Sequence, residues 1–293
     1  MPKLDLVYNP VAGSFSKARF ARLEAALRDV GFDVRSLPTR IDGAHLSGGA
    51  DLVCVHGGDG TLRDTVRTMG PMAEHVPLCI APSGTVNLVA RELNFAHAPA
   101  AFARQIADGW ARGEQAWLRA PLYKLGDVPI VSCLSIGPDS HAVARVSGAL
   151  KRRIGRHAYL VALMQQMREW PRSPMAVTGV TRQGTDFAIE AEAVIVSNAA
   201  LYAGPFRLSA QAGLHTDCVE LVSVRHSTRR RTIALAMAAL LRRPVQRIAG
   251  IEVRSCTRIA FDRCATPVQI DGDHMPESGF EIEPAGFSLR YVI

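Results

Sequence analysis

A glycine-rich loop is the part of the sequence best suited to chemistry. The segment 57-GGDGT-61 follows the apolar run 51–56 and precedes the amphipathic stretch 62–70. Glycines there would let backbone N–H groups approach a phosphate, and Thr61 offers a helix cap and a hydroxyl. Because a carboxylate repels phosphate, Asp59 suits a metal-bound water or a substrate hydroxyl that it orients or deprotonates. A tight turn with an Asx hydrogen bond is the simpler alternative, and the loop is not a Walker A motif.

Two further small polar segments follow strand-like runs in the same half of the chain. The segment 82-PSGTVN-87 ends one apolar run and precedes a predicted helix, and 9-NPVAGS-14 ends the first run. The carboxyl ends of parallel strands meet at one edge of a sheet, where ligands bind. Three such loops therefore predict one shared crevice, which none of them predicts alone.

The elements that carry these loops alternate between strand and helix over the first half of the chain. The clearest helical spacing lies in 14–32, where Ser14 or Ser16 can cap the helix and Gly31 can end it. Such alternation predicts a parallel sheet covered by helices, that is, an α/β domain.

The pattern changes near Trp117, after which short alternating apolar runs dominate, as in antiparallel strands. Two helical stretches, near 141–170 and 228–243, interrupt these runs. We therefore predict an α/β nucleotide-binding domain over residues 1–120 and a β-rich substrate domain over residues 121–293.

The composition narrows the class of partner. The 293 residues carry a formal net charge of +7, most of the basic residues are arginines, and an anionic partner is therefore expected. Nucleic acid is the weakest option, because the arginines are dispersed and no reader motif is present. The six cysteines are scattered without a CxxC pair, which favours buried, reduced thiols. The first residues lack the apolar core of a signal peptide, so a cytoplasmic location is expected.

Four motifs in order resemble the diacylglycerol kinase catalytic-domain family, which includes sphingosine, ceramide and bacterial soluble lipid kinases. They are NPVAGS, GGDGTLRDTV, PSGTVNLVAR and a late DGD. The resemblance implies a kinase that moves the γ-phosphate of ATP to a lipid hydroxyl with Mg²⁺. It also implies a Rossmann-like, NAD-kinase-like α/β domain, an antiparallel β-sandwich domain, and a nucleotide between them.

The family motifs map onto individual positions of this chain. Asp64 stands where the family usually has Glu. The resemblance implies nucleotide contacts at Asn9, Thr39, Gly57, Gly58, Gly60, Thr61, Ser83, Gly84, Thr85 and Asn87.

The late motif, 270-IDGDHMP-276, places Asp273 where the family has the glutamate proposed as general base. The resemblance thus implies Asp273 as the base and leaves Asp59 as an organiser of metal or hydroxyl. Because Asp-Gly is also a strong turn signal, we expect a hairpin that carries the base. For contact with the head group of the lipid acceptor, the resemblance implies Asp139. Capping of a helix N-terminus is the alternative role of that residue. Some family members hold a structural metal in a segment that 212–224 resembles only in part; there Asp217 is the candidate ligand.

Two basic and apolar stretches suggest contact with an anionic membrane surface. The segment 150–172 joins a basic cluster to a broad apolar stripe, and 229–243 is apolar with arginines at both ends. Packing of both apolar faces on the sheet, with solvated arginines, is the alternative. The expectation is peripheral contact at the inner face of the membrane.

The leading functional hypothesis is an ATP-dependent lipid kinase acting on diacylglycerol, a sphingoid base or ceramide. One alternative is a soluble-acceptor kinase of the NAD kinase type, which shares GGDGT. Another is a catalytically weak, nucleotide-binding membrane sensor. The oligomeric state is left open, with a homodimer as one alternative.

Overall fold

The computed structural model describes residues 1–12, 14–40, 43–138, 140–141, 173–262, 267–275 and 280–293. These residues form two compact units: unit 1 comprises Met1–Ala120 with Gly286–Ile293, and unit 2 comprises Pro121–Ala285. The C-terminal residues belong to unit 1 because Tyr291, in the last strand, pairs in parallel with Leu78.

Unit 1 is an α/β unit. Its strands β1, β2, β3 and β4 are Lys3–Tyr8, Asp33–Pro38, Leu52–Gly57 and Leu78–Pro82. Its helices α1, α2, α3 and α4 are Lys17–Asp29, Asp59–Met69, Leu88–Glu92 and Pro99–Ala111, and 3-10 turns lie at Gly70–Glu74 and Glu114–Ala116. The strand order β2-β1-β3-β4 is parallel throughout.

The hydrophobic pattern explains this layering. Strands β3 and β4 are buried along their whole length, as parallel strands covered on both faces are. Helix α1 buries Leu23 and Leu27, four residues apart and hence on one face. Its N-cap is Ser16, whose hydroxyl accepts the amide of Arg19 at 3.4 Å. The predicted α/β character of the N-terminal half is confirmed.

Unit 2 is built from antiparallel strands. Strands β5 to β9 are Leu118–Leu125, Val128–Ile130, Cys133–Ile136, Met175–Thr181 and Asp186–Ala191. Strands β10 to β14 are Ala193–Ser197, Val219–Val224, Ile251–Phe261, Val268–Ile270 and Asp273–Met275. The last strand, β15 (Glu281–Tyr291), begins in unit 2 and ends in unit 1. The order β14-β13-β7-β10-β11-β12 is antiparallel at every step, and β12 also pairs with β8, as β8 does with β9. The predicted antiparallel C-terminal region is confirmed.

Helix α5 (Arg229–Leu240) lies in unit 2 and packs its buried residues, Leu235 and Ala239, into an apolar cluster with Val245 and Ile251. It corresponds to the predicted helical stretch 228–243. The other predicted stretch, 141–170, lies almost wholly outside the described residues, and so does Asp139. Within the described residues, no helix is both long and apolar enough to cross a membrane.

Candidate functional site

The register of the parallel strands brings three polar loops of unit 1 to one edge. Tyr8 is level with Pro38 and His56, and Gly57 is level with Pro82. Backbone hydrogen bonds continue this alignment beyond the strand ends. The amide of Thr39 donates to the Tyr8 carbonyl at 2.8 Å. The loops after β1, β3 and β4 therefore lie side by side, as the carboxyl-edge argument predicts.

The glycine loop between β3 and α2 is shaped by contacts within the chain. A Cβ on Gly57 would lie 2.5 Å from the Cβ of Thr61, and a Cβ on Gly84 would lie 2.6 Å from the Cα of Gly58. The amides of Ser83 and Gly84 donate to the Gly57 carbonyl at 3.1 and 3.3 Å. Gly84 is thus needed for close backbone packing of the two loops, and Gly57 leaves room for the Thr61 side chain, whether or not a phosphate binds beside them.

Helix α2 begins earlier than predicted, so that Asp59, Gly60 and Thr61 form its first turn. Its N-cap is Gly58, in extended backbone with no side-chain cap, and the expected capping by Thr61 is wrong. The physical reason is that the chain turns already at Gly58. The first-turn amides of Gly60 and Thr61 have no acceptor in the part of the chain that the structure describes. They are suited to an anion.

Asp59 is buried and turned toward the next loop. Its Oδ2 accepts the amide of Leu88 at 2.9 Å and its Oδ1 accepts the amide of Val89 at 3.1 Å. Burial raises the pKa of Asp59, against the Leu88 and Val89 amides and the charge of Arg91, which act to lower it. Both carboxylate oxygens are therefore engaged in holding the start of α3 against the start of α2.

The loop after β4 is held by its own asparagine. Asn87 is buried with φ of 55° and ψ of 57°, and its Oδ1 accepts the amide of Gly84 at 2.8 Å. Its Nδ2 donates to the Gly84 carbonyl at 2.8 Å. The Asn87 side chain thus braces the loop, and its nucleotide contact stays a prediction. Ser83 and Thr85 are half-exposed.

The segments that follow β1 and β2 carry one predicted nucleotide contact each, Asn9 and Thr39. The Oδ1 of Asn9 accepts the amide of Val11 at 3.0 Å, which is an Asx turn. Thr39, anchored to Tyr8 through its amide, is half-exposed beside it. The structure thus groups Asn9 and Thr39 with the two glycine loops in unit 1.

Sequence reasoning missed two residues next to these loops. Arg19 donates to the carbonyls of Pro82 and His97, both at 2.8 Å, and so joins α1 to the loop after β4 and the start of α4. His56 is buried against Phe15 and Phe20, with ring centroids 6.2 and 5.6 Å away. Burial first, and the nearby Arg19 charge second, lower the pKa of His56 to about 4. A helical arginine and a strand histidine carry no motif, so only the fold reveals them.

The Asp-Gly hairpin of unit 2 joins β13 to β14. Its two central residues both have positive φ, 53° for Asp271 and 86° for Gly272, and Ile270 pairs with Asp273 across the turn. This is the type I′ geometry that Asp-Gly favours. Asp273, the predicted base, begins β14 and is half-exposed. The amide of Gly272 donates to the side chain of Gln269 at 2.6 Å, which fixes the turn further.

Asp271, which the sequence argument passed over, is the buried carboxylate of this hairpin. Its Oδ1 accepts the amides of Ser132 and Cys133 at 2.8 and 3.1 Å and the Ser132 hydroxyl at 2.6 Å. Its Oδ2 accepts the amide of Val131 at 3.2 Å. Four donors from the segment that leads into β7 thus hold the turn that positions Asp273.

Asp217 lies on the surface beside an arginine. Its Oδ1 is 2.9 Å from an Nη of Arg182, and its side chain is 67% exposed. The nearby Glu220 is buried and accepts the Ser209 hydroxyl at 2.7 Å and that of Ser255. Among the described residues no group of three His, Cys, Asp or Glu side chains is placed to hold a metal. Asp217 therefore has a cation partner already, and its role as a metal ligand stays a prediction.

The comparison with known families agrees with the first three of the four motifs. Residues 3–115 match the family profile described as the diacylglycerol kinase catalytic domain. The resemblance to that family is confirmed over residues 3–115. No curated protein matches the chain at a significant level.

Solved structures share the fold at low sequence identity. A candidate diacylglycerol kinase from Bacillus anthracis superposes with a TM-score of 0.77 at 18% identity, over 99% of this chain and 95% of that one. A further structure from the same organism, described as a diacylglycerol kinase, gives 0.70 at 17% identity, over 99% and 96%. An NAD kinase from Archaeoglobus fulgidus in complex with ATP gives 0.56 at 15% identity, over 99% and 93%. The family match and the shared fold support a kinase.

Proposed function

We propose that the chain is an ATP-dependent kinase that phosphorylates a lipid hydroxyl, with diacylglycerol, a sphingoid base or ceramide as acceptor classes. The observation that carries the proposal is the family match over residues 3–115 combined with the geometry of that region. Its three loops meet at one sheet edge, and the first turn of α2 offers amides there. Because a bilayer supplies such an acceptor, contact with a membrane surface is part of the proposal.

The nucleotide phosphates, in this proposal, bind the first-turn amides of Gly60 and Thr61, helped by the helix dipole of α2. Asp59 has a positioning role: it holds the loop after β4 against the glycine loop, so that both present a fixed surface. This assignment differs from a direct role with metal or hydroxyl because both Asp59 oxygens already accept backbone amides.

The transfer step is assigned to Asp273. The acceptor hydroxyl oxygen forms a bond to the γ-phosphorus, the bond from that phosphorus to the bridging oxygen breaks, and ADP leaves. The hydroxyl proton passes to the Asp273 carboxylate. Asp271 keeps the turn rigid, since its carboxylate binds the segment Val131–Cys133 through four donors.

Magnesium fits this scheme as a companion of the nucleotide. Mg²⁺ is usually held by one or two carboxylates together with substrate phosphates and water. The described residues offer no preformed set of three ligands, and the Asp64 carboxylate is paired with Arg63 at 2.9 Å. When bound, the ion would neutralise phosphate charge, and Asp64, with its half-exposed side chain, is the α2 carboxylate that would assist in holding it.

The soluble-acceptor alternative has one observation in its favour, the shared fold of the NAD kinase structure. That TM-score, 0.56, is lower than the 0.77 of the candidate diacylglycerol kinase, so the lipid kinase is favoured. A catalytically weak sensor would keep nucleotide binding without turnover.

The test is phosphate transfer from radiolabelled ATP to a panel of acceptors in detergent micelles. The panel contains diacylglycerol, monoacylglycerol, a sphingoid base, ceramide and, as the soluble acceptor, NAD. Label in a lipid supports the proposal, and label in NAD alone replaces it with the alternative. ATP binding without transfer to any acceptor would indicate the sensor.

A further inference from the structure

Helix α5 exposes an apolar row. Ile233, Met237, Leu240 and Leu241 are 52%, 49%, 51% and 55% exposed, and their spacing places them on one side of the helix. Half of the eight large hydrophobic residues that are exposed in the described part of the chain lie in this row. We call these four residues the α5 face. Such clustering marks a contact surface, whereas single exposed hydrophobic residues are ordinary.

The opposite side of the helix is already occupied. Leu235 and Ala239 pack with Val245 and Ile251 inside unit 2. The helix therefore packs through its other side, and among the residues that the structure describes the α5 face is left exposed.

Arginines flank the α5 face in the sequence, and no acid lies among them. The segment 225–251 has arginine at 225, 229, 230, 231, 242, 243 and 247 and contains neither Asp nor Glu. Arg230, Arg242 and Arg243 form no ion pair within the residues that the structure describes. An acid from outside this segment, Glu192 between β9 and β10, accepts the Ser227 amide at 2.7 Å and lies 3.6 Å from His226.

One of these arginines occupies a position that favours glycine. Helix α5 ends in a Schellman motif. The backbone amide of Arg242 donates to the Ala239 carbonyl at 3.2 Å, and that of Arg243 donates to the Ala238 carbonyl at 2.8 Å. Arg242 adopts a φ of 52°, the left-handed conformation in which glycine has no steric penalty. A cation thus stands beside the exposed leucines at a position where the backbone alone would favour glycine.

We propose that the α5 face docks on an anionic lipid bilayer, with the apolar row in the interface and the arginines on lipid phosphates. The apolar row suits the boundary between headgroups and acyl chains, and the arginines suit the layer of lipid phosphates. A second copy of this chain fits less well, because two arginine clusters would then face each other. The inference deepens the proposed function by naming the surface that meets the membrane. It rests on that function in one respect, because a lipid acceptor is the reason for the protein to meet a bilayer.

The experiment is co-sedimentation with vesicles of phosphatidylcholine, with and without phosphatidylglycerol, in the absence of ATP and of any acceptor lipid. We expect binding to the anionic vesicles at low salt and weaker binding at high salt. Replacing the row by Ile233→Ser, Met237→Ser and Leu240→Ser together should weaken partitioning by about tenfold or more. Arg242→Gly with Arg243→Gln, which suits the left-handed backbone, should weaken it by about fivefold per arginine removed.

The matched control is Met72→Ser, because Met72 is 47% exposed in unit 1, close to the 49% of Met237. It should leave vesicle binding unchanged, and unchanged melting temperatures would show that every variant folds. Equal partitioning of the wild type and the triple variant would overturn the proposal, as would no binding of the wild type to anionic vesicles. A dimer in sedimentation equilibrium that the triple variant dissociates would also overturn it and assign the face to self-association.

The same variants separate this inference from the proposed function. Transfer to lipid in detergent micelles does not require bilayer docking, so the triple variant should keep wild-type turnover there. Vesicle binding through the α5 face without lipid phosphorylation in micelles would reject the kinase proposal and leave the docking inference standing. Lipid phosphorylation in micelles, together with vesicle binding that does not depend on the α5 face, would reject the docking inference and leave the kinase proposal standing.

Discussion

The glycine loop of unit 1 and the Asp-Gly hairpin of unit 2 use a buried aspartate in the same way. Asp59 accepts the first two amides of α3, and Asp271 accepts three amides and a hydroxyl from the segment Val131–Cys133. The hairpin differs in carrying a second, half-exposed carboxylate two residues later, Asp273. An acid in a motif is therefore not by itself the reactive acid, because burial and backbone donors can assign it to structure.

The largest loss of stability is expected for Asp271→Ala. It would leave three buried amides and the Ser132 hydroxyl without their acceptor, which should destabilise the protein by roughly 3–5 kcal/mol. Hydrogen exchange at the amides of residues 131–133 measures the effect locally, and a urea midpoint measures it globally. Asp271→Asn, which keeps one oxygen and tolerates positive φ, should recover part of the loss. Unchanged exchange in the alanine variant would show that these bonds do not hold the hairpin.

The corresponding change in unit 1, Asp59→Ala, should cost roughly 2–3 kcal/mol, since only two amides lose their acceptor. Exchange at Leu88 and Val89 should rise while that at residues 131–133 stays the same. The pH dependence adds a sign. Because burial raises the folded pKa of Asp59, its stabilising contribution is fully present below the unfolded pKa and is lost as pH rises through the folded pKa. The free energy of unfolding of the wild type should therefore fall relative to that of Asp59→Asn as the pH rises toward neutral. The opposite trend would contradict the assignment.

His56, directly before the glycine loop, should give an acid-side effect of similar size. Its folded pKa of about 4 lies below the ordinary value of 6.5, so the folded protein loses stability as pH falls from 6.5 toward 4. Between pH 7 and 4.5 the loss should be roughly 2–3 kcal/mol. Thermal unfolding across this range measures it, with His56→Leu expected to remove the dependence. The exposed His75 provides the control, as His75→Gln should keep it.

The smallest effect is expected at Asp217, an exposed carboxylate that serves the comparison as a reference. Its ion pair with Arg182 involves side chains that are 67% and 53% exposed, so Asp217→Asn should change stability by about 0–1 kcal/mol. Urea unfolding with and without Mg²⁺ measures both the pair and the predicted metal site. A stabilisation by the ion that Asp217→Asn abolishes would establish the metal site.

Much of the fold follows from patterns within short stretches of the sequence. Alternating strands and helices predicted the α/β unit, and alternating apolar residues predicted the antiparallel strands, because both reflect the local period of burial. The same reasoning placed the loops Asn9, Gly57–Thr61 and Ser83–Asn87 at one sheet edge. The predicted hairpin at Asp271–Gly272 also formed, since its turn chemistry is local.

The partners of individual side chains did not follow from the sequence. Asp59 meets amides that lie 29 and 30 residues further along, and Asp271 meets donors 138 to 140 residues earlier. Such contacts depend on how elements pack, and no local pattern encodes them. Thr61 was misjudged as a cap because the apolar period of α2 becomes visible only after its first turn, which begins at Asp59.

Turnover should be compared in three aspartate variants that keep nearly the same side-chain shape, Asp273→Asn, Asp217→Asn and Asp59→Asn. Asp273→Asn should lower kcat for phosphate transfer by roughly 10²–10⁴-fold while calorimetry still detects ATP binding. Asp217→Asn should keep wild-type turnover. Asp59→Asn should lose turnover only in proportion to the rise in hydrogen exchange at Leu88 and Val89. Near-normal turnover of Asp273→Asn, or an inactive Asp59→Asn whose loop amides stay protected, would contradict the assignment of chemistry to the hairpin.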